Sequence, residues 1–502
     1  MRGSAQLLPK STRYDGILLV LFLLSLPLCN PWVHGDGVGY YAYARSLLID
    51  HNLNFQKDWK HGNQSFEMSR LDAQGEILPD QFTRTGHLLN HWTIGPALLW
   101  LPFLVLTHAG VLIADKLGAH VAADGFSQPY LITMALATAF YGFLGVWISF
   151  RLACKFFQER RAFLATLGIW WASSLPVYMY FNPSWSHAHS AFGAALFLWY
   201  WHRTRGERTI GEWIVLGLIS GLLVDIYYPN GMLLLVPLLE AFVAYWNELG
   251  RRGDAAAYHG AVRATGGRAA SFGRLFGAHV IYLVVFLVVL LPTFISRKII
   301  FGSALATGYL PIDQWRWKDP AFGRVLWSAD HGVFTWTPIL LLAVAGLLFF
   351  RRTDKAMAAY LMAAVVAFYG VISFHFNWDG LSSFGNRFFV SLTPIFVLGL
   401  AATFDAAARA WSERRVRILA PVATAVFVLW NLGMIYQWGT HLIPARGAIS
   451  FREAAYNQVA VVPEQAGRNL VSYFTRRRRM MNRIEQEDVN QLRKQQEAGG
   501  KQ

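Results

Sequence analysis

The chain has 502 residues, 54% of them hydrophobic and 15% charged. Ordinary soluble domains carry about 25% charged residues, so this composition excludes a water-soluble globular chain. The net charge of +15 lies in short loops and near the C-terminus, a pattern that membrane topology produces and that leaves no case for a nucleic-acid partner.

Apolar runs able to span a bilayer occupy residues 16–34, 129–150, 162–181, 187–202, 212–229, 231–247, 278–296, 332–350, 356–375, 388–408 and 418–438. The fold class expected is all-α: a polytopic membrane bundle of about 11 transmembrane helices, with surface helices in a large first loop at 35–128. Residues 1–438 form the membrane module, and 439–502 form a polar, basic tail, partly disordered or surface-helical. The first run has no small-residue cleavage site before a soluble domain and reads as a retained anchor. Cys29 and Cys154 lie in or beside spans, so no disulfide framework is expected.

The first run leads into His34-Gly35-Asp36-Gly37-Val38-Gly39-Tyr40-Tyr41-Ala42-Tyr43-Ala44-Arg45. A carboxylate beside a bilayer is costly unless it has a partner or a task. Asp36, flanked by glycines and followed by an aromatic helix, suits a group that reaches a polar part of a substrate at the lipid surface. It equally suits a helix cap, since aspartate can accept hydrogen bonds from the first amides.

Residues 94–114 are also long enough to span, but a crossing there upsets the charge pattern. Without it, Arg2, Lys10 and Arg13, Lys155, Arg160 and Arg161, Arg203, Arg205 and Arg208, the 251–274 arginines, Arg351, Arg352 and Lys355, and Arg409 to Arg417 all fall on the N-terminal side. The positive-inside rule makes that side cytoplasmic. The segment is therefore expected to lie along the membrane or re-enter it. Gly95-Pro96 and Pro102 suit a broken or tilted helix. The tail falls outside on the same count, although Arg476 to Arg479 strain that placement.

The outer face then collects Asp36, Asp58, Arg84, His87, Asn90, His91, Asn182, His187, His189, Asp313, Arg316, Asp330, His331, Asn377, Asp379, Asn386 and Arg387. Each alone is what a solvated loop contains. Arg387, in Ser383-Phe384-Gly385-Asn386-Arg387, stands where a guanidinium grips a phosphate or snorkels to headgroups. Asp225 falls at a break between two spans and is buried on a strict count, as a cap or the partner of an Arg or His.

His187 and His189 are two apart, so only an extended or loop backbone aims both at one metal. Asp36 with one histidine would hold Mg²⁺ or Mn²⁺ weakly, and no cofactor is otherwise called for. There is no Gly-rich nucleotide loop and no Ser-His-Asp signature.

Together these features resemble the GT-C superfamily of integral-membrane glycosyltransferases. Its members include dolichyl-phosphate-mannose protein mannosyltransferases and bacterial lipid A aminoarabinose transferases. The matching stretches are 34–50, 90–103 and 382–389, with Asp36 at the family's acidic position and Asn90-His91-Trp92-Thr93-Ile94-Gly95-Pro96 as a juxtamembrane element. The family tends to carry a second acid in its second outside loop. Here Asn182-Pro183-Ser184-Trp185-Ser186-His187-Ala188-His189 has none.

The resemblance implies an inverting enzyme in a bacterial inner membrane, with its N-terminus cytoplasmic and its active site periplasmic. It would move a sugar from a polyprenyl-phosphate donor to an acceptor that the sequence does not name. Asp36 would be the catalytic base. Arg387, Arg84, His91, Tyr40, Tyr41, Asn386 and Asp379 would bind substrate. A flippase or transporter of a lipid-linked saccharide, or a noncatalytic assembly protein, are the alternatives. The absence of an evident internal repeat and the gathering of polar groups at one face favour the enzyme.

Overall fold

The computed structural model describes residues 12–206, 208–250, 268–309 and 311–499. Arg2, Lys10, Arg251, Arg252 and Arg263 lie outside them. The long helices are α1 (Arg13–Ser25), α2 (Asp36–Arg45), α3 (Gly95–Lys116), α4 (Gln128–Ala153), α5 (Glu159–Trp171), α6 (His187–Thr204), α7 (Ile210–Ile226), α8 (Leu235–Gly250), α9 (Arg268–Val289) and α10 (Leu291–Phe301). After them come α11 (Ile339–Phe350), α12 (Lys355–Phe374), α13 (Thr393–Ala410), α14 (Glu413–Gly439), α15 (Phe451–Ala460), α16 (Val462–Thr475) and α17 (Arg477–Gly499). Among the described residues there is no sheet, only two isolated bridges in the first loop. The protein is an all-α membrane bundle.

Seven helices among the described residues are long and apolar enough to cross a bilayer. The expected spans 16–34, 162–181, 187–202, 212–229 and 332–350 appear as α1, α5, α6, α7 and α11, which are shorter than those seven or broken by polar residues. The core is centred on α13, whose apolar residues from Ile395 to Leu400 are all buried.

The basic turns gather at one end of the bundle, tied by ion pairs. Arg151 meets Asp15 at 2.8 Å, Arg161 bridges Asp405 and Glu413, and Arg205 pairs with Asp354. These contacts join turns that are distant in sequence, as expected of loops emerging on one side. Asp36, Asn182 and Arg387 lie at the opposite end.

Two expectations need correction. Residues 95–116 are one unbroken helix despite Pro102. The aromatic helix expected to follow Asp36 begins at Asp36 itself and continues into a π turn at Ser46–Asp50.

The packing of α3 is specific. It runs antiparallel to the outer half of α4: Trp100 donates to Thr138 at 2.8 Å, Thr107 meets Thr133 at 2.7 Å and His108 meets Tyr130 at 2.6 Å. The inner half of α4 packs on α6 through Tyr141–Phe192, and Phe156, in the turn after α4, meets His202. With 26 residues, α4 is about 39 Å long, more than the roughly 30 Å of a bilayer core. So α3 accompanies the half of α4 nearest Asp36. Its first residue abuts α7: a Cβ on Gly95 would lie 2.3 Å from the Asp225 carbonyl carbon. Asp225 itself is buried and accepts from Thr293 at 2.6 Å, not from an Arg or His.

Residues beyond 438 form α15, α16 and α17, which return to the Asp36 end. Gln437 donates to the Ala454 carbonyl at 3.1 Å, anchoring α15 on α14. Asn469 donates to Tyr436 at 2.6 Å, and Tyr473 donates to the Leu28 carbonyl at 2.7 Å, so α16 crosses from α14 to the end of α1. Arg477 donates to the carbonyls of Cys29 and Pro27. Glu485 of α17 accepts from the Ser65 amide at 2.6 Å and from the Asn63 side chain at 2.9 Å.

Candidate active site

Asp36 is the first helical residue of α2; the cap position belongs to Gly35, and no side chain caps the helix. The capping reading of Asp36 is therefore set aside. Gly35 adopts φ of +54°, which a side chain rarely tolerates, and its amide donates to Asn63 at 2.9 Å. At Gly37 a Cβ would lie 1.9 Å from Ser184 Oγ. These glycines let the start of α2 press against the segment 182–186. That segment is pinned in turn by Trp185 Nε1 donating to the His34 carbonyl at 2.9 Å and by His34 Nε2 meeting Asn182 Oδ1 at 2.8 Å.

Arg387 stands opposite. Its Nη2 lies 2.8 Å from Asp36 Oδ2, with the arginine side chain 10% exposed and the aspartate 33%. Its guanidinium carbon is 4.3 Å from the Trp185 ring centroid, a cation–π contact. Its Nε is buried without a hydrogen-bond partner. The loop before it is held by Ser383 donating to the Gly385 carbonyl at 2.8 Å and by Asn386 Nδ2 donating to the Trp378 carbonyl at 2.9 Å.

The pair opens on a cavity of about 870 Å³ that also reaches Arg70, Arg446 and Asp488. Arg70 lies over the Phe66 ring at 3.9 Å and bonds its carbonyl at 3.0 Å. Burial pulls the Arg70 and Arg446 guanidinium pKa values down, while Asp36 draws both back up. Burial pushes Asp488 up to about 6. Two carboxylates and three guanidiniums leave the wall with one excess positive charge, suited to a singly charged anion.

The other expected residues divide. His91 stacks on Trp92 with ring centroids 3.9 Å apart, and burial holds it down at about 4, with Asp36 acting in the opposite sense. Tyr40 is buried and accepts from Ser186 Oγ at 2.9 Å; burial raises its phenol pKa. Asp379 and Asn386 flank the Arg387 loop, and Asn386 Oδ1 has no partner. Tyr41 instead turns away, donating to the Gly125 carbonyl at 2.7 Å and meeting Trp100 edge-on. Arg84 is exposed at the tip of a tight turn between Phe82 and Leu88 and does not line the cavity.

The histidine pair does not converge on one point. His187 and His189 both lie in the first turn of α6, where positions two apart face different ways. His187 packs among Tyr178, Tyr227 and Trp185, whereas His189 lies between Trp100 and Tyr141. Among the described residues no three His, Cys, Asp or Glu groups gather as ligands. Asp36, the other residue expected to hold a divalent cation, faces the Arg387 guanidinium through Oδ2.

No family model matches the sequence, and no curated protein does. Among solved structures, ArnT from Cupriavidus metallidurans in the apo state is similar at 14% identity, with a TM-score of 0.44, over 89% of this chain and 73% of that chain.

Three separate stretches converge at the site. Asn90 Nδ2 donates to the Gly39 carbonyl at 2.9 Å, and Arg387 closes on Asp36. Arg297, itself buried, holds the 90–92 strip by donating to all three of its carbonyls at 2.7–3.0 Å. Sequence reasoning missed Arg297, Arg446, Arg70 and Asp488. Arg446 had a usable signal: it follows the last span directly, on the side where the loop count puts Asp36.

Proposed function

We propose that this protein is an inverting glycosyltransferase that takes a sugar from a polyprenyl-phosphate donor at the membrane face carrying Asp36. The observation that carries the reading is the Asp36–Arg387 pair at the wall of the cavity. It sets a proton acceptor beside a phosphate-binding group at the end of a membrane bundle. The single excess positive charge suits a phosphodiester, and the absence of a nucleotide loop suits a donor anchored in lipid. The stretches that carry the family resemblance meet around this pair.

Arg387 would hold the donor phosphate with the edge that Asp36 leaves free, using the planar fork of its guanidinium. Asp36 Oδ1 would take the proton from the acceptor hydroxyl as that oxygen bonds the sugar's first carbon. The bond from that carbon to the phosphate oxygen breaks, and the electron pair leaves with polyprenyl phosphate, steadied by Arg387 and Arg446. One displacement inverts the carbon. Trp185 and Trp92 wall the reacting centre with apolar surface.

The test uses lipid extracts. A strain lacking the gene is expected to accumulate a polyprenyl-phosphate sugar. The wild-type gene should clear it, and an Asp36→Asn gene, giving protein at a normal level, should not. An unchanged lipid profile in the deletion strain refutes the proposal.

A further inference from the structure

Helix α17 keeps one face against the link between α1 and α2. Arg477, Met481 and Glu485 recur every four residues, so they share a side of the helix. Arg477 meets the Pro27 and Cys29 carbonyls, the Met481 sulfur accepts from Asn30 Nδ2 at 3.2 Å, and Glu485 meets Asn63. From Arg477 to Glu485 the helix advances about 12 Å, in step with the chain it follows toward Gly35.

Glu485 is 7% exposed. Asn63 Nδ2 donates to its Oε1 at 2.9 Å and its Oε2 at 3.0 Å, and the Ser65 amide donates to Oε1 at 2.6 Å. A carboxylate only accepts, so it turns the Asn63 side chain one way. The NH2 group faces Glu485, and Oδ1 is left to accept from the Gly35 amide at 2.9 Å.

That last bond acts on the residue before Asp36. Gly35 has no side chain to limit its rotation, and no side chain caps α2. The bond from Asn63 selects the φ of +54° at which the chain enters the helix. The ties to Asn182 and Trp185 act one residue earlier, on His34. The direction of the Asp36 carboxylate follows from the angle at Gly35.

We propose that Glu485 is a positioning residue for Asp36. It fixes the Asn63 amide, Asn63 fixes Gly35, and Gly35 aims the carboxylate at the acceptor hydroxyl. The inference rests on the transferase reading above and adds to it a residue from the far end of the chain. Neither Glu485 nor Asn63 lines the cavity. Loss of Glu485 therefore slows proton removal and spares donor binding.

The test uses the full chain. Glu485→Gln keeps the size of the side chain, but its amide both donates and accepts, so the orientation of Asn63 is no longer imposed. Induced in the deletion strain, this gene should clear the accumulated polyprenyl-phosphate sugar roughly ten- to a hundredfold more slowly than wild type. Binding of undecaprenyl phosphate to the purified protein in nanodiscs should be unchanged. Amide hydrogen exchange in peptides spanning residues 34–40 should speed up about tenfold. The double variant Glu485→Gln with Asn63→Asp moves the carboxylate to position 63, where it accepts from Gly35 and from the new glutamine. It should recover both clearance and protection, and it guards against a misfolded single variant. Unchanged clearance or exchange in Glu485→Gln, a matching loss of undecaprenyl phosphate binding, or a swap that recovers neither readout overturns the proposal. The transferase reading fails separately: the deletion strain would accumulate no lipid, while exchange at 34–40 would still report whether Glu485 holds Gly35.

Discussion

Arg387 Nη2 and Asp36 Oδ2 lie 2.8 Å apart and bring together the first loop and the entry to α13. The pair uses one oxygen of the carboxylate and one nitrogen of the guanidinium. Arg387→Lys keeps the charge but loses the fork, so donor binding should weaken by about tenfold while Asp36 keeps a cationic neighbour. Arg387→Ala should do more, because it leaves Asp36 unpaired and opens space beside Trp185. Isothermal titration with undecaprenyl phosphate checks both, and unchanged affinity in Arg387→Ala removes the phosphate role.

Arg446 has no hydrogen bond or ion pair among the described residues, although it lines the same cavity. A guanidinium held without a partner is available to a ligand. Arg446→Gln should raise KM for the donor several-fold and leave the thermal midpoint nearly unchanged, since no hydrogen bond or close ion pair is lost. A fall in the midpoint with KM unmoved would assign it to structure instead.

Arg84 gives the opposite expectation. It is exposed on a turn whose threonines bond the Ile300 carbonyl at 2.6 Å, and it does not line the cavity. Arg84→Ala should leave donor binding and turnover as they are. A large loss of affinity in that variant would mean that the first loop closes over the site when donor is bound.

His91 carries a pH signature. Burial holds its folded value at about 4, below the ordinary 6.5, so the protonated form is disfavoured in the folded state. Its contribution to stability is therefore complete above about 6.5 and is lost as pH falls from there toward 4. Between pH 7 and pH 5 the loss is about 2 kcal/mol. Thermal melts should show a steeper acid decline for the wild type than for His91→Gln. Parallel profiles would show that His91 is not desolvated.

Topology can be read by labelling. Single cysteines replacing His120, in the turn between α3 and α4, and Gln158, in the turn between α4 and α5, are both at exposed positions. They should react from opposite sides of the membrane, with His120 on the side of Asp36. Reaction of both from one side would overturn the arrangement of the basic turns.

The bundle was legible because composition and loop charge report directly on bilayer crossing. Asp36 and Arg387 were legible because a charge at the mouth of a span is costly and so draws attention. Their mutual contact was not, since nothing local connects the first loop to the entry of α13. Arg84 looked equivalent to Arg387 on charge and side alone; only the turn between Phe82 and Leu88 points it away. The two histidines diverge for a local reason, because residues 187 and 189 fall inside a helix turn rather than a strand. Arg297 escaped notice because its partners are backbone carbonyls, which leave no trace in residue type.

The hydrogen bonds from Asn63 and Ser65 to Glu485 have a consequence for biosynthesis. The N-terminal part of the first loop is made about 420 residues before the carboxylate that it holds. A chain cut after α14 would keep Asp36 and Arg387 but lose the cavity wall that α16 and α17 supply. The chamber around Asp36 therefore takes its final form only after α17 has been made and has returned to the first loop.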